Sequence, residues 1–188
     1  GDPSRVQLSN FGNLTLSVNT SGLRWNQKGY FSVNRIKGSF TITNGIIIMD
    51  DGQGASTNLI LQTVTINNLG SLIVRSGISG AFTFTTGAFT DVSTSLVATV
   101  LADTTFCLFT WNASSNVELG HYFLGMVGTG SETGGDLRIN ITGNLTISGS
   151  PTCLFVTQCD APLRLTVTGN TAITGTPVKL RLVDGNNG

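Results

Sequence analysis

Residues 137–151 read LRINITGNLTISGSP and residues 163–177 read LRLTVTGNTAITGTP, one fifteen-residue phrase stated twice at an offset of 26. Eleven residues follow each copy, TCLFVTQCDAP (152–162) and VKLRLVDGNNG (178–188), so the last 52 residues are two units of 26. A period of this size marks a unit that cannot bury its apolar face alone and must stack on a neighbour. In the first copy Leu137, Ile139, Ile141, Leu145 and Ile147 are all odd-numbered, and Gly143 fills the missing odd position. A two-residue Gly-Asn hairpin would pair Ile141 with Thr146 and send the two apolar sets to opposite faces. A three-residue loop, 142–144, would keep Ile141 opposite Leu145, so a hairpin stays open. The unbroken phase is met most simply by a chain that bends at Gly143 and runs on.

Each unit then offers three short strands, such as LRINI, NLTIS and TCLFVT, divided by Gly-Asn, Gly-Ser-Pro and Asp-Ala-Pro corners. That is the layout of one coil of a parallel β-helix. A diluted phrase with a Gly-small-apolar start recurs upstream as FGNLTL (11–16), KGSFTI (37–42), LGSLIV (69–74), SGAFTF (79–84), TGAFTD (86–91) and LGHYFL (119–124). Helical apolar spacing is nearly absent, while alternating runs rich in Thr, Val, Ile and Phe occur throughout. The expectation is a single all-β domain over 1–188, a parallel β-helix of about seven coils stacked about 4.8 Å apart. The alternative is an antiparallel β-sandwich or jelly roll, which shares short strands and regular turns. The chain starts with Gly and shows no signal peptide, so it is expected to be a fragment or a processed product.

The closing 52 residues resemble the single-stranded parallel β-helices of bacterial surface adhesins, autotransporter passengers and phage tail proteins, where phrases like GNLTISG recur. The resemblance implies an elongated structural or adhesive protein outside the cell or on a virion.

Composition agrees with such a setting. Only 11% of residues are charged, ten basic against ten acidic, so Ser, Thr, Asn and Gly must solvate the surface. A net charge near zero favours association, and copies of the same chain are the expected partners. The scattered Lys and Arg do not make the basic patch that nucleic acid needs. No pure apolar run exceeds four residues, as in IIIM at 46–49, far short of a transmembrane helix.

Assembly is expected through strand edges, with Val6, Leu8, Phe11, Leu14, Leu16 and Val18 on a candidate assembly strand. Asn13, Asn19, Asn112, Asn140 and Asn144 stand in Asn-x-Ser/Thr sequons, so glycosylation is a candidate, although 16 Asn and 44 Ser plus Thr produce about as many by chance. Cys107, Cys153 and Cys159 leave at least one thiol unpaired, and Cys153 and Cys159 bridge only if the chain turns sharply between them.

Catalytic chemistry has few carriers. Glu118 and His121 are a polar pair around a turn, and Asp50 and Asp51 are adjacent acids at a strand end. No metal-ligand spacing and no cofactor motif is present, so no cofactor and no enzymatic activity are expected. A carbohydrate-binding or polysaccharide-cleaving β-helix is the alternative function, with Trp25, Tyr30, Trp111 and Tyr122 as stacking platforms. Ice binding is a lesser one, carried by Thr-x-Thr at Thr41/Thr43, Thr63/Thr65, Thr83/Thr85 and Thr166/Thr168.

Overall fold

The computed structural model describes residues 9–10, 12–17, 23–27, 33–51, 57–76, 80–101, 107–127, 136–149, 152–157, 163–176 and 179–183. All of its regular structure is β. The first level holds β1 (Ser9–Asn10), β2 (Leu14–Ser17) and β3 (Leu23–Gln27). The long β4 (Val33–Asp51) and β5 (Thr57–Ser76) each make a whole level. Above them lie β6 (Gly80–Thr86), β7 (Phe89–Asp91) and β8 (Thr99–Leu101), then β9 (Cys107–Ala113), β10 (Val117–Leu119) and β11 (Phe123–Val127). The last two levels are β12 (Asp136–Ile141), β13 (Leu145–Ile147), β14 (Thr152–Thr157) and β15 (Leu163–Val167), β16 (Thr171–Ile173), β17 (Lys179–Val183).

Every described strand pair is parallel and joins a strand to its counterpart one level away, with no hairpin pairing among them. The first side runs from β1 through the starts of β4 and β5 to β6, β9, β12 and β15. The second side runs from β2 through the middles of β4 and β5 to β7, β10, β13 and β16. The third runs from β3 through their ends to β8, β11, β14 and β17. The molecule is a parallel β-helix, and the sandwich alternative falls away because its strands would be antiparallel.

Alternation builds the interior. On the second side Phe40, Val64, Phe89, Val117 and Leu145 form one fully buried inward row, continuing partly buried Leu14. On the first side Phe82 stacks on Phe109 with centroids 5.3 Å apart, and Phe84 on Trp111 at 6.1 Å. Phe89 meets Trp111 edge-on at 5.0 Å, so the fourth and fifth levels share an aromatic centre.

Counted as coils closed by buried side chains on all three sides, the described residues give four, from the second level to the fifth, rather than about seven. Strand pairing extends one level below and two above. The coils are also unequal: register partners lie 24 residues apart between β8 and β11 (Thr99 and Phe123) but 30 apart between β11 and β14 (Phe123 and Cys153). Corners absorb the difference, because a parallel ladder fixes the strands and leaves the connections to vary.

Candidate functional site

The corner between the first and second sides is where the Gly-Asn phrase falls. β12 and β13 do not pair with each other; the chain bends at Thr142 and Gly143 and runs on. The Oδ1 of Asn116 accepts a hydrogen bond from the Asn144 N–H at 2.9 Å, and the Oδ1 of Asn144 accepts from the Asn170 N–H at 2.8 Å. Asn13 accepts from the Ser39 N–H in the same way at 2.9 Å. Each asparagine therefore holds the backbone of the next level. Gly143 precedes such an asparagine because a Cβ there would lie 2.5 Å from the Ser115 carbonyl carbon and 2.6 Å from Asn116 Oδ1. Close approach, not a left-handed backbone, demands this glycine.

Of the upstream phrases, FGNLTL, KGSFTI and TGAFTD lie at this corner. LGSLIV and LGHYFL lie at the corner between the second and third sides, and SGAFTF leads into the first side. Two members escape the Gly-small pattern: LQTVTI (61–66) and SSNVEL (114–119) occupy the same corner by register.

Towards the last level the sealed rows reach the surface. Ile147 is 2% exposed, and Ile173 directly above it is 53% exposed. Leu163, Leu165 and Val167 are half-buried, although their partners Leu137, Ile139 and Ile141 are sealed. Among the described residues, β15, β16 and β17 are paired on one edge only.

The candidate assembly strand is only partly in view. Leu14 and Leu16 lie on β2, half-buried and in register with Phe40 and Ile42 of the same chain; Val6, Leu8, Phe11 and Val18 lie outside the described residues. Of the sequon asparagines, Asn13 and Asn144 hold the corner, Asn140 Nδ2 donates to Asn112 Oδ1 at 2.9 Å, and Asn19 lies outside the described residues.

Of the four candidate aromatic platforms, Trp111 and Tyr122 have described side chains. Trp111 is sealed in the core, with Nε1 donating to Thr86 Oγ1 at 3.1 Å, while Tyr122 is exposed. The backbone of Trp25 lies in β3 beside Met49, and Tyr30 lies outside the described residues. Asp50 and Asp51 end β4 in register with Arg75 and Ser76. Glu118 and His121 take different partners: Glu118 Oε1 accepts from Ser148 Oγ at 2.7 Å, and His121 Nε2 lies 3.3 Å from the Val97 carbonyl oxygen. Cys107 and Cys153 lie in β9 and β14, and Cys159 lies outside the described residues. No group of three or more His, Cys, Asp or Glu suited to a metal occurs among the described residues. No described helix is long and apolar enough to cross a membrane.

The threonines are sorted differently from their dipeptides. On the outer face of the second side Thr15, Thr41, Thr65 and Thr90 stand in register through four successive levels, and Thr146 resumes the row above Glu118. Thr83 and Thr85 belong to the first side, as does Thr166. Three members of the row, Thr15, Thr90 and Thr146, belong to no Thr-x-Thr pair.

Sequence reasoning missed Asp91. It occupies the inward row of the second side between Ile66 and Leu119 and is completely buried. Its Oδ1 accepts from the Ser93 N–H at 3.2 Å, while Oδ2 and the buried Ser93 Oγ have no hydrogen-bond partner. Burial raises its pKa above the ordinary 3.8, and the polar groups around it, Thr99, Ser93 and His121, offset this only in part. The signal was present in TGAFTD (86–91), whose Asp takes the place of Ile in KGSFTI (37–42).

No protein-family model, curated protein or solved structure matches the chain in comparison.

Proposed function

We propose that the protein is a non-enzymatic structural or adhesive subunit of an extracellular filament, cell-surface assembly or virion appendage, of the kind built from surface adhesins, autotransporter passengers or phage tail proteins, and that it associates with copies of itself through strand edges. The supporting observation is the stacking itself, in which strands of successive levels pair edge to edge in parallel over continuous apolar rows, a mode of addition that a coil of another copy can repeat. An apolar parallel edge is the surface that another β-coil completes most readily, supplying both the missing ladder and the missing cover. Low charge opposes such contact only weakly.

Sedimentation velocity across a wide concentration range, with electron microscopy of the same samples, tests the reading. Concentration-dependent oligomers or filaments are expected. Ile173→Lys should shift them towards monomer while leaving the thermal midpoint nearly unchanged, because that side chain is already half outside the core. A single monomeric species at every concentration overturns the proposal.

The threonine row favours a second reading, binding of ordered water at an ice surface. Hydroxyls repeating at the spacing of the levels, about 4.8 Å, form a periodic row. Thermal hysteresis in dilute solution, lost in Thr65→Lys and kept in Thr83→Lys on another side, would support it. No hysteresis in the unmodified protein rules it out.

A further inference from the structure

Between β7 and β8 the corner at residues 92–98 is long, and it displays apolar side chains: Leu96 is 99% exposed, with Val92, Val97 and neighbouring Tyr122 also exposed. Three levels hold it in place. From below, the Asn68 carbonyl accepts from the Thr94 N–H at 2.6 Å and from Thr94 Oγ1 at 3.1 Å. From above, His121 Nε2 lies 3.3 Å from the Val97 carbonyl oxygen, and the Thr99 N–H donates to the Tyr122 carbonyl at 2.8 Å. From inside, Ser71 Oγ donates to the Ala98 carbonyl at 2.8 Å, and Asp91 Oδ1 accepts from the Ser93 N–H.

The inner hold is the unusual one. A carboxylate in the row between Ile66 and Leu119 would place a charge among aliphatic neighbours with one oxygen unpartnered, which a fold tolerates poorly. The neutral acid suits the same position better: Oδ1 still accepts from the Ser93 N–H, and the unpartnered Oδ2 carries no charge there. Few charges compete. The corner itself holds only Val, Ser, Thr, Leu and Ala, and below it Ile66, Asn67, Asn68 and Ser71 are uncharged. Above, Glu118 is bonded to Ser148, and among the described residues His121 is the titratable group that influences Asp91.

We propose that Asp91 is a proton-operated latch for the corner at residues 92–98: as the carboxylic acid it holds the corner closed, and loss of its proton to solvent releases the corner together with the apolar side chains it carries. The inference stands apart from the assembly reading and survives if the protein is monomeric.

Amide hydrogen exchange of the whole chain against pH, corrected for intrinsic rates, tests it at Ser93, Thr94, Val97 and Thr99. Protection should fall by up to about tenfold per pH unit above 3.8 and level off once the carboxyl has titrated. Asp91→Asn should remove the slope, and His121→Gln should keep it. Should Asp91→Asn not fold, the carbon-13 shift of the Asp91 carboxyl in the unmodified protein decides: its midpoint is expected above 3.8, with Leu96 and Val97 methyl shifts moving at the same pH. A midpoint at or below that value, flat protection in the unmodified protein, an unchanged slope in Asp91→Asn, or a slope lost in His121→Gln each overturns the latch.

Discussion

At Gly143 the level below leaves no room for a side chain. A Cβ would stand 2.6 Å from Asn116 Oδ1, the oxygen that holds the Asn144 N–H, so Gly143→Val must push the two levels apart and weaken that hydrogen bond. Overpacking of this kind costs about 1–3 kcal/mol, and a drop of that size in urea unfolding free energy is expected. Asp91 acts in a different way. Its folded-state pKa is raised above 3.8, so the folded chain holds the proton more tightly than the unfolded chain. The stabilisation is complete below 3.8 and is lost as pH rises through the folded value. Unfolding free energy measured from about pH 3 upward should therefore carry a downward contribution that Asp91→Asn lacks. The hydrophobic alternation that reveals Ile139 and Ile147 cannot reveal Asp91, because an acid at the end of a short strand reads as a turn residue until its register with Ile66 and Leu119 is known.

At the scale of elements, β4 and β5 turn two corners without losing their ladder, because their irregularities fall between Ile36 and Ser39 and between Ile42 and Asn44. Left-handed residues serve the corner between the second and third sides, with Gly45 at φ 80°, Asn68 at φ 48° and Gly149 at φ 66°. Asn and Gly tolerate that backbone best. β9 contributes the largest sealed side chain, Trp111, which touches Phe84, Phe89 and Phe123. Trp111→Ala should cost about 3–5 kcal/mol in equilibrium unfolding, with Thr86 Oγ1 also losing its donor. If Trp111 were a glycan platform, the loss would fall on binding rather than on stability. The phrase LRINITGNLTISGS exposed the strands of the sixth level because alternation and corner chemistry agree there. SSNVEL hid its place, since its corner keeps Asn116 but has Ser115 where Gly143 stands one level above.

Over the whole molecule each coil leans on its two neighbours, so stability is approximately a sum of levels and of the interfaces between them. A truncation in a sealed level should cost more than the same kind of truncation at the end. Ile139→Ala is expected to cost about 2–5 kcal/mol, and Leu165→Ala, half-buried directly above it, clearly less when measured in the same denaturant series. Equal losses would mean that the last level is covered as fully as the sixth. The sequence by itself determined the β class and the inward set from Leu137 to Ile147, and it favoured the forward run through Gly143 over a hairpin, because side-chain alternation and corner chemistry are local properties of the chain. Only the tertiary structure decided which residues share a level. The corners differ in length, so a constant period cannot align Thr15 with Thr90 or place Asp91 beneath Leu119. Stacking fixed that register, and with it the threonine row and the buried acid.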